Sequence, residues 1–579
     1  MVNRRKKAVI ISLLVLVTSM GVITAMTFWY LKLRQLRLSM PDITLPPEDD
    51  DELPPGPPEE DDWLDPIVND TRFLPNPGAI NFGMNLGGIT DWGREWPFLN
   101  LMKCCRPWMT ANTIWVENGE NEWNTEYIAY IECDANGYPL ELPYINETAE
   151  VPQGVHTIFA SISNFPLGEY IFTYDGNGSF TFPGNWEVIT EEPGRIELNI
   201  SDNSGPIAFH INYSQLGDHV RNITLVYGVY ESLLSQTPFN PAWTEKLSDF
   251  EAIRFMDWAE TNFHEPLVDW VDRSQVGDYS YQLGRGVPYE HMTDVCNRLD
   301  CDAWICVPHE ASDDYITQMA DLFRENLDPE LTLYVEYSNE IWNWMFPASH
   351  YLLEGGDQDV DWPERIVPFI QNVMDIFSTE FAGQLNRLVR VVGVQAGWYD
   401  VGNRTISNMR PGSFDAVSPT AYFGFTEAAY TTLDVLGSST TVGDVFNLAR
   451  ESVDGEGLEW ISLYLNRTME LGLKFLFYES GQHLTPDPFG SEQPYNQALV
   501  DIQFHDAMYY LYNYWMNRLR EVRENSSYAD NFLFMTFSFA SGSSGQYGTW
   551  GVLPDIYMEP PYLPEAPKYQ AILDNLINS

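Results

Sequence analysis

Two stretches decide the fold: YVEYSNEIWN (334–343) and FLFYESGQH (475–483) each run from strand-like apolar residues straight into a glutamate, Glu340 and Glu479. Short apolar strands that end on polar side chains and alternate with helical stretches indicate a parallel sheet buried on both faces. Outward from these two, the pattern recurs in AIRFMDW (252–258), AWICVPH (303–309), VRVVGVQAGW (389–398), AVSPTAYFG (416–424) and FLFMTFSFA (532–540). Helical periodicity fills the gaps, notably at 363–386, 445–470 and 495–523. Closure needs an eighth strand, and INFGMNL (80–86), followed by an expected helix at 97–105, supplies it. The expected fold is therefore α/β, a (β/α)8 TIM barrel.

Between the first two barrel strands the periodicity changes. From 111 to 232, runs such as HTIFASISNF, RIELNI and NITLVYGVY alternate with a period of two between Gly, Asn and Pro turns. That pattern reads as an inserted antiparallel β-sandwich, with GNG (176–178) as a hairpin turn. The expected organisation is a head and membrane span at 1–40 and an acidic Pro-rich linker at 41–78. The first strand and helix of the barrel follow at 79–110, the sandwich at 111–232 and the remaining barrel at 233–579.

The 579 residues carry 31 basic and 83 acidic side chains, a formal net charge of −52. A nucleic-acid binder needs a basic face, so that class is excluded. Residues 8–31 are free of charge and long enough for a transmembrane signal anchor, with Arg4, Arg5, Lys6 and Lys7 before them. The expectation is a single-pass type II membrane protein with a lumenal or extracellular body, secreted if the apolar segment is cleaved. Residues 41–66 hold 8 prolines and 11 acids and act as a spacer. Nine N-x-S/T sequons, at 69, 146, 177, 199, 212, 222, 403, 466 and 525, all follow the apolar span. Six cysteines leave room for one or two bridges, Cys296–Cys301 or Cys301–Cys306. No spacing of Cys or His suggests a metal, and no cofactor is expected.

In such a barrel, polar residues at the C-terminal ends of strands face the active-site mouth. Those ends carry Arg254, Asp257, His309, Asn339, Glu340, Gln395, Tyr422 and Glu479. Two carboxyl groups on facing strands match the requirement of glycoside cleavage, one protonated and one ionised.

These motifs resemble those of clan A glycoside hydrolases, family 5 in particular. YVEYSNEIWN resembles the strand-4 Asn-Glu motif and FLFYESGQH the strand-7 nucleophile, while Arg254, His309 and Tyr422 match polar positions on strands 2, 3 and 6. GMNLGGITDW (83–92), RFMDW (254–258) and the Pro-His strand end are similar to those of uncharacterised proteins labelled cellulase-like or cellulose-binding-domain. The resemblance covers roughly residues 80–575. It implies Glu340 as the general acid/base, its pKa raised by partial burial, and Glu479 as a nucleophile kept ionised by Arg254 and Tyr422. It further implies that Asn339 binds a sugar hydroxyl and that His309 orients one or supports the site from behind. Trp92, Trp258, Trp342, Trp398 and Trp550 are candidate stacking platforms. The strand-8 end departs from the family pattern: FSFASGSSGQYGTW (537–550) brings its tryptophan late, on a Gly/Ser loop.

The expected function is a membrane-anchored retaining glycoside hydrolase acting on a neutral β-linked glycan. The alternative is a non-catalytic carbohydrate-binding surface protein with a vestigial barrel, for which opposed carboxylates have no use.

Overall fold

The computed structural model describes residues 63–114, 122–145, 151–161, 165–184 and 186–576. Among them no helix is long and apolar enough to cross a membrane. The expected span at 8–31, and the linker up to Asp62, lie outside the described residues.

The body is built on a curled parallel sheet. Its strands are β1 (Ile80–Asn85), β10 (Ala252–Arg254), β11 (Asp302–Val307), β12 (Leu333–Tyr337), β13 (Leu388–Gly393), β14 (Ala416–Ser418), β15 (Ala421–Phe423), β16 (Lys474–Phe475), β17 (Phe477–Gln482) and β18 (Phe532–Thr536). As expected, β1 lies between the second and last strands, with Gly83 opposite Ala252 and Ile80 opposite Phe532. Two strands are interrupted: β14 pairs β16 through Val417 and Phe475, and β15 pairs β17 through Tyr422 and Gly481. Residues 416–423 thus run beside 474–482, and β17 leads back through β18 to β1. Continuous apolar strands suit this arrangement because both faces are covered.

Between β1 and β10 the chain forms two antiparallel four-stranded sheets. One holds β2 (Met109–Asn112), β3 (Gln153–Ala160), β8 (Ile207–Ser214) and β5 (Gly178–Thr181); the other holds β6 (Trp186–Glu192), β7 (Arg195–Ile200), β4 (Gly168–Asp175) and β9 (Arg221–Tyr227). Aromatic rings bind the two layers, with Phe172 at 5.1 Å from Phe209 and 5.0 Å from Phe180.

Several local expectations change. GNG does not close a hairpin, since β4 and β5 belong to different sheets; the turn carries the chain across the sandwich. Its glycines serve close approach: a Cβ on Gly176, whose φ is +88°, would lie 2.0 Å from the His219 carbonyl oxygen. The helix expected at 97–105 is a single 3-10 turn, Leu101–Cys104, capped by Asn100. The helical stretch at 445–470 is two helices, Val442–Val453 and Glu456–Leu471, parted at Gly455. All six cysteines are free thiols, so neither expected bridge is present.

Residues from Leu64 onward pack as one compact unit, so 64–78, assigned by composition to the linker, are part of the body. The reason is apolar: Leu64, Ile67 and Phe73 are buried, and Phe73 stacks on Tyr514 at 4.5 Å. Asn517 and Arg520, on the helix Asp506–Glu524, donate to backbone carbonyls of Arg72, Leu74 and Gly78.

Gly176→Ala must combine an unfavourable left-handed φ with a backbone clash. It should lower unfolding free energy by about 1–3 kcal/mol in denaturant titration. An unchanged midpoint would show that the turn relaxes freely.

Candidate active site

At the C-terminal end of the curled sheet, the sequence places a cation on its second strand and carboxylates on its fourth and seventh. Arg254 ends β10 and is wholly buried. A guanidinium out of water must find partners for all its N–H groups. Nε and Nη2 donate to Glu336 Oε2 at 3.2 and 3.0 Å, and Nη2 also to Asn339 Oδ1 at 2.8 Å. Nη1 donates to Asn85 Oδ1 and Glu479 Oε1, both at 3.0 Å. These five bonds engage all five donors. Asn85 in turn donates to the carbonyls of Tyr478, Met535 and Thr536, which ties β1 to the seventh and eighth strands.

Glu479 is held on its other oxygen by Tyr422, whose hydroxyl donates to Oε2 at 3.0 Å. Burial pushes its pKa up to about 8, and the Glu340 charge adds to the rise, against the opposing pull of Arg254 and Tyr422. This corrects the expectation that Arg254 and Tyr422 keep it ionised: loss of water outweighs their pull. Glu340 is only half-buried, with Tyr478 donating to Oε1 at 2.9 Å and Asn343 to Oε2 at 2.8 Å.

Two backbone irregularities bring these groups together. Ser338 and Glu340 have φ of +55° and +40°, which breaks strand alternation after β12 and turns both Asn339 and Glu340 to the mouth. The register shift between Phe477 and Ser480 lets neighbours Tyr478 and Glu479 serve one site.

The remaining expected residues divide. Asn339 also donates to Asn262 Oδ1 at 3.0 Å. His309 does not meet the glutamates: its Nδ1 lies 3.1 Å from Nε2 of His264, and burial pushes His309 down to about 3. Trp258 is a core residue and no platform, being 0% exposed and stacked on Trp243 at 5.6 Å. Trp398 is 45% exposed on the loop after β13, and Trp92 is 52% exposed beside Arg106. Trp342 is buried. Trp550 arrives late in sequence yet reaches the site, 6.1 Å from Tyr422 and 5.1 Å from His483. Its loop is fixed at one carbonyl, Thr549 O, which accepts from Gln482 at 2.9 Å and Lys568 at 2.7 Å. Among the described residues no cluster of three metal-binding side chains occurs.

Sequence reading passed over Glu336, Asn85, Tyr478, Asn262 and His264. Glu336 alone left a signal, a charge inside the otherwise apolar strand LTLYVEY.

Two further acids lie behind the dyad. Burial pushes Asp257 to about 7 and Glu95 to about 8, the latter accepting from Gly87 N at 2.6 Å. An acid raised in the fold holds its proton more firmly folded than unfolded, so its contribution is complete below the unfolded value and lost as pH climbs through the folded one. The thermal midpoint should therefore fall between about pH 7.5 and 8.5, above the range around 6.5 in which buried histidines titrate in the unfolded chain. Glu95→Gln should flatten part of that fall; parallel curves for the two proteins would contradict it.

No family model matches the chain, and no curated protein matches it. Solved structures similar to it include a GH51 arabinofuranosidase from Xanthomonas axonopodis pv. citri, at 13% identity and TM-score 0.29, covering 52% of this chain and 61% of that one. An endo-1,4-beta-D-mannanase from Thermotoga petrophila RKU-1 aligns at 11% identity and TM-score 0.29, over 57% of this chain and 94% of that one. Xylanase10C from Cellvibrio japonicus aligns at 9% identity and TM-score 0.30, over 82% and 98%. The chain thus spans about three-fifths of the arabinofuranosidase's length. These neighbours are clan A glycoside hydrolases, the group whose strand motifs the sequence resembles. Likeness at such TM-scores carries no weight for activity.

Proposed function

We propose that the protein is a retaining glycoside hydrolase with a (β/α)8 barrel, acting on a neutral β-linked glycan. The observation that carries this reading is the unequal support of two carboxyls at one mouth. Glu479 is gripped by a guanidinium and a phenol, whereas half-buried Glu340 is held by a phenol and an amide. A nucleophile needs a fixed, charge-stabilised oxygen, and an acid/base needs access to the leaving group and then to water.

On this reading Glu479 attacks the anomeric carbon while Glu340 protonates the departing oxygen; Glu340 then takes a proton from water as the glycosyl–Glu479 ester is hydrolysed. Asn339 and the rings of Trp550 and Trp398 bind the sugar, and His309 supports the mouth through His264. The pair needs one proton in total. Burial strengthens the hold of Glu479 on a proton, and on this reading that proton passes to Glu340 when substrate binds, without a change in count. kcat/KM should accordingly fall above a pH of about 8, as the proton is lost. Glu340→Gln and Glu479→Gln should each lower kcat roughly 100- to 10,000-fold. Methanolysis products with the anomeric configuration of the substrate would establish retention; inverted products would remove the covalent step.

Substrate charge follows from the mouth. Arg254, the cation that touches the dyad, has every donor engaged and offers nothing to a uronate. The net charge of −52 on the chain disfavours anionic sugars. A neutral oligosaccharide should be turned over with higher kcat/KM than its uronate counterpart at low salt. The reverse preference would overturn the substrate class, and Arg94→Ala would then show whether Arg94, packed against Gly542, is the cause. We further propose that residues 8–31 anchor the chain with its body lumenal or extracellular, on the strength of their length and lack of charge.

A further inference from the structure

Arg254 meets more negative charge than a catalytic pair requires. The third carboxylate, Glu336, is buried inside β12, four residues before Glu340. One of its oxygens, Oε2, accepts from Arg254 Nε and Nη2 and from Trp304 Nε1 at 3.0 Å, with the Cys306 thiol at 3.7 Å. Glu479 receives a single N–H from the same guanidinium. Three donors converge on one oxygen in a dry site, where charge-assisted hydrogen bonds are strong.

We infer that Glu336 is a positioning residue: by drawing two of the five Arg254 donors onto one oxygen, it withholds part of the guanidinium's charge from Glu479 and so determines how readily Glu479 gives up its proton. The inference rests on the reading of Glu479 as the nucleophile. A nucleophile paired one-to-one with a buried guanidinium would be ionised at all working pH values and correspondingly unreactive. Sharing the cation keeps the carboxylate less stabilised, and keeps one proton within the pair for Glu340 to use.

The room for Glu336 comes from Gly393 at the end of β13. A Cβ there would sit 2.7 Å from Glu336 Oε1, so any side chain at 393 pushes the carboxylate out of place without altering its charge. The ionisable groups acting on Glu479 are Arg254, Glu340, Tyr422, Asp257, Tyr478 and Cys306. Those facing Glu336 are Arg254, Cys306 and Tyr478. Of these only Arg254 is hydrogen-bonded to both carboxylates, and it is the direct link by which a change at Glu336 reaches Glu479.

The test is a carboxyl-region infrared pH titration of the full-length chain, with Glu479→Gln subtracted to identify the Glu479 band. Glu336→Gln, which keeps shape and removes charge, should lower the Glu479 midpoint by at least one pH unit and move the alkaline limb of kcat/KM with it. A residue of merely structural importance would lower the melting temperature and leave the midpoint where it was, and an unshifted midpoint overturns the inference. Should Glu336→Gln not fold, Gly393→Ala decides by the same measurement: a fall of half a unit or more supports the role, and none overturns it. The titration uses no substrate, so its outcome is separate from that of the hydrolase reading. A shifted midpoint in a protein that cleaves no glycan would sink the hydrolase and leave the charge-sharing standing.

Discussion

The placement of one buried guanidinium organises the site. Arg254 has no contact with solvent, and a charge in that position is tolerated only when its hydrogen-bonding capacity is filled. Filling it draws in Asn85 from β1, Glu336 and Asn339 from the fourth strand and its end, and Glu479 from β17. Each partner fixes a strand end, so the arrangement that neutralises the cation also sets the relative position of the two glutamates. The rings of Tyr478 and Trp304 lie 5.1 and 5.7 Å from the guanidinium carbon, which closes the remaining faces with aromatic surface. Such a cluster contributes little net stability, because the desolvation of its charged groups offsets their attraction. What it supplies is a single geometry.

That geometry sets the protonation of the dyad. Near Arg254 stand Glu336, Glu479 and Glu340, three acids for one base, with Asp257 acting from farther off. The site therefore keeps protons that isolated carboxyls would shed, and keeps them where water is scarcest. Glu479, buried more deeply than Glu340, is raised despite its two good donors, while Tyr422 and Tyr478 are pushed far above the usual phenol range by the same loss of water. Both phenols consequently remain hydrogen-bond donors at every working pH. They hold the carboxylates without competing for the proton that the chemistry needs.

The sheet was legible because its strands are near-continuous apolar runs, a pattern that burial on both faces enforces. The pairing of 80–85 with strands more than 160 residues away followed from the need for an eighth strand. The site was legible where a polar residue ended a strand, as with Arg254, Asn339, Glu340, Tyr422 and Glu479. It was obscured where the backbone departs from alternation: the positive φ at Ser338 and Glu340 and the register shift before Ser480 decide which neighbours share a face. Trp258 was misjudged because a strand-end tryptophan is equally suited to the layer beneath the mouth, where Trp243 covers it. Glu336 was passed over because an inward charge within a strand has no meaning until its partner's burial is known. The GNG turn misled for a related reason, since the same residues that permit a tight hairpin also permit a crossing under a close backbone neighbour.

The strand-8 departure shows how position in space can be restored without position in sequence. A tryptophan moved some ten residues along a Gly/Ser loop would ordinarily lose its orientation to chain entropy. Here the loop is pinned at Thr549 by two donors from different places, Gln482 three residues beyond Glu479 and Lys568 on the last helix, Pro567–Leu576. Lys568 is itself buried and its pKa is pushed down to about 7, so the ammonium that binds this carbonyl has given up water to do so. Gln482 links the loop to the strand that carries Glu479, which means that Trp550 and Glu479 are referenced to the same strand end. A ring fixed in that way keeps its place beside the Glu479 strand end, and its distance along the chain ceases to matter.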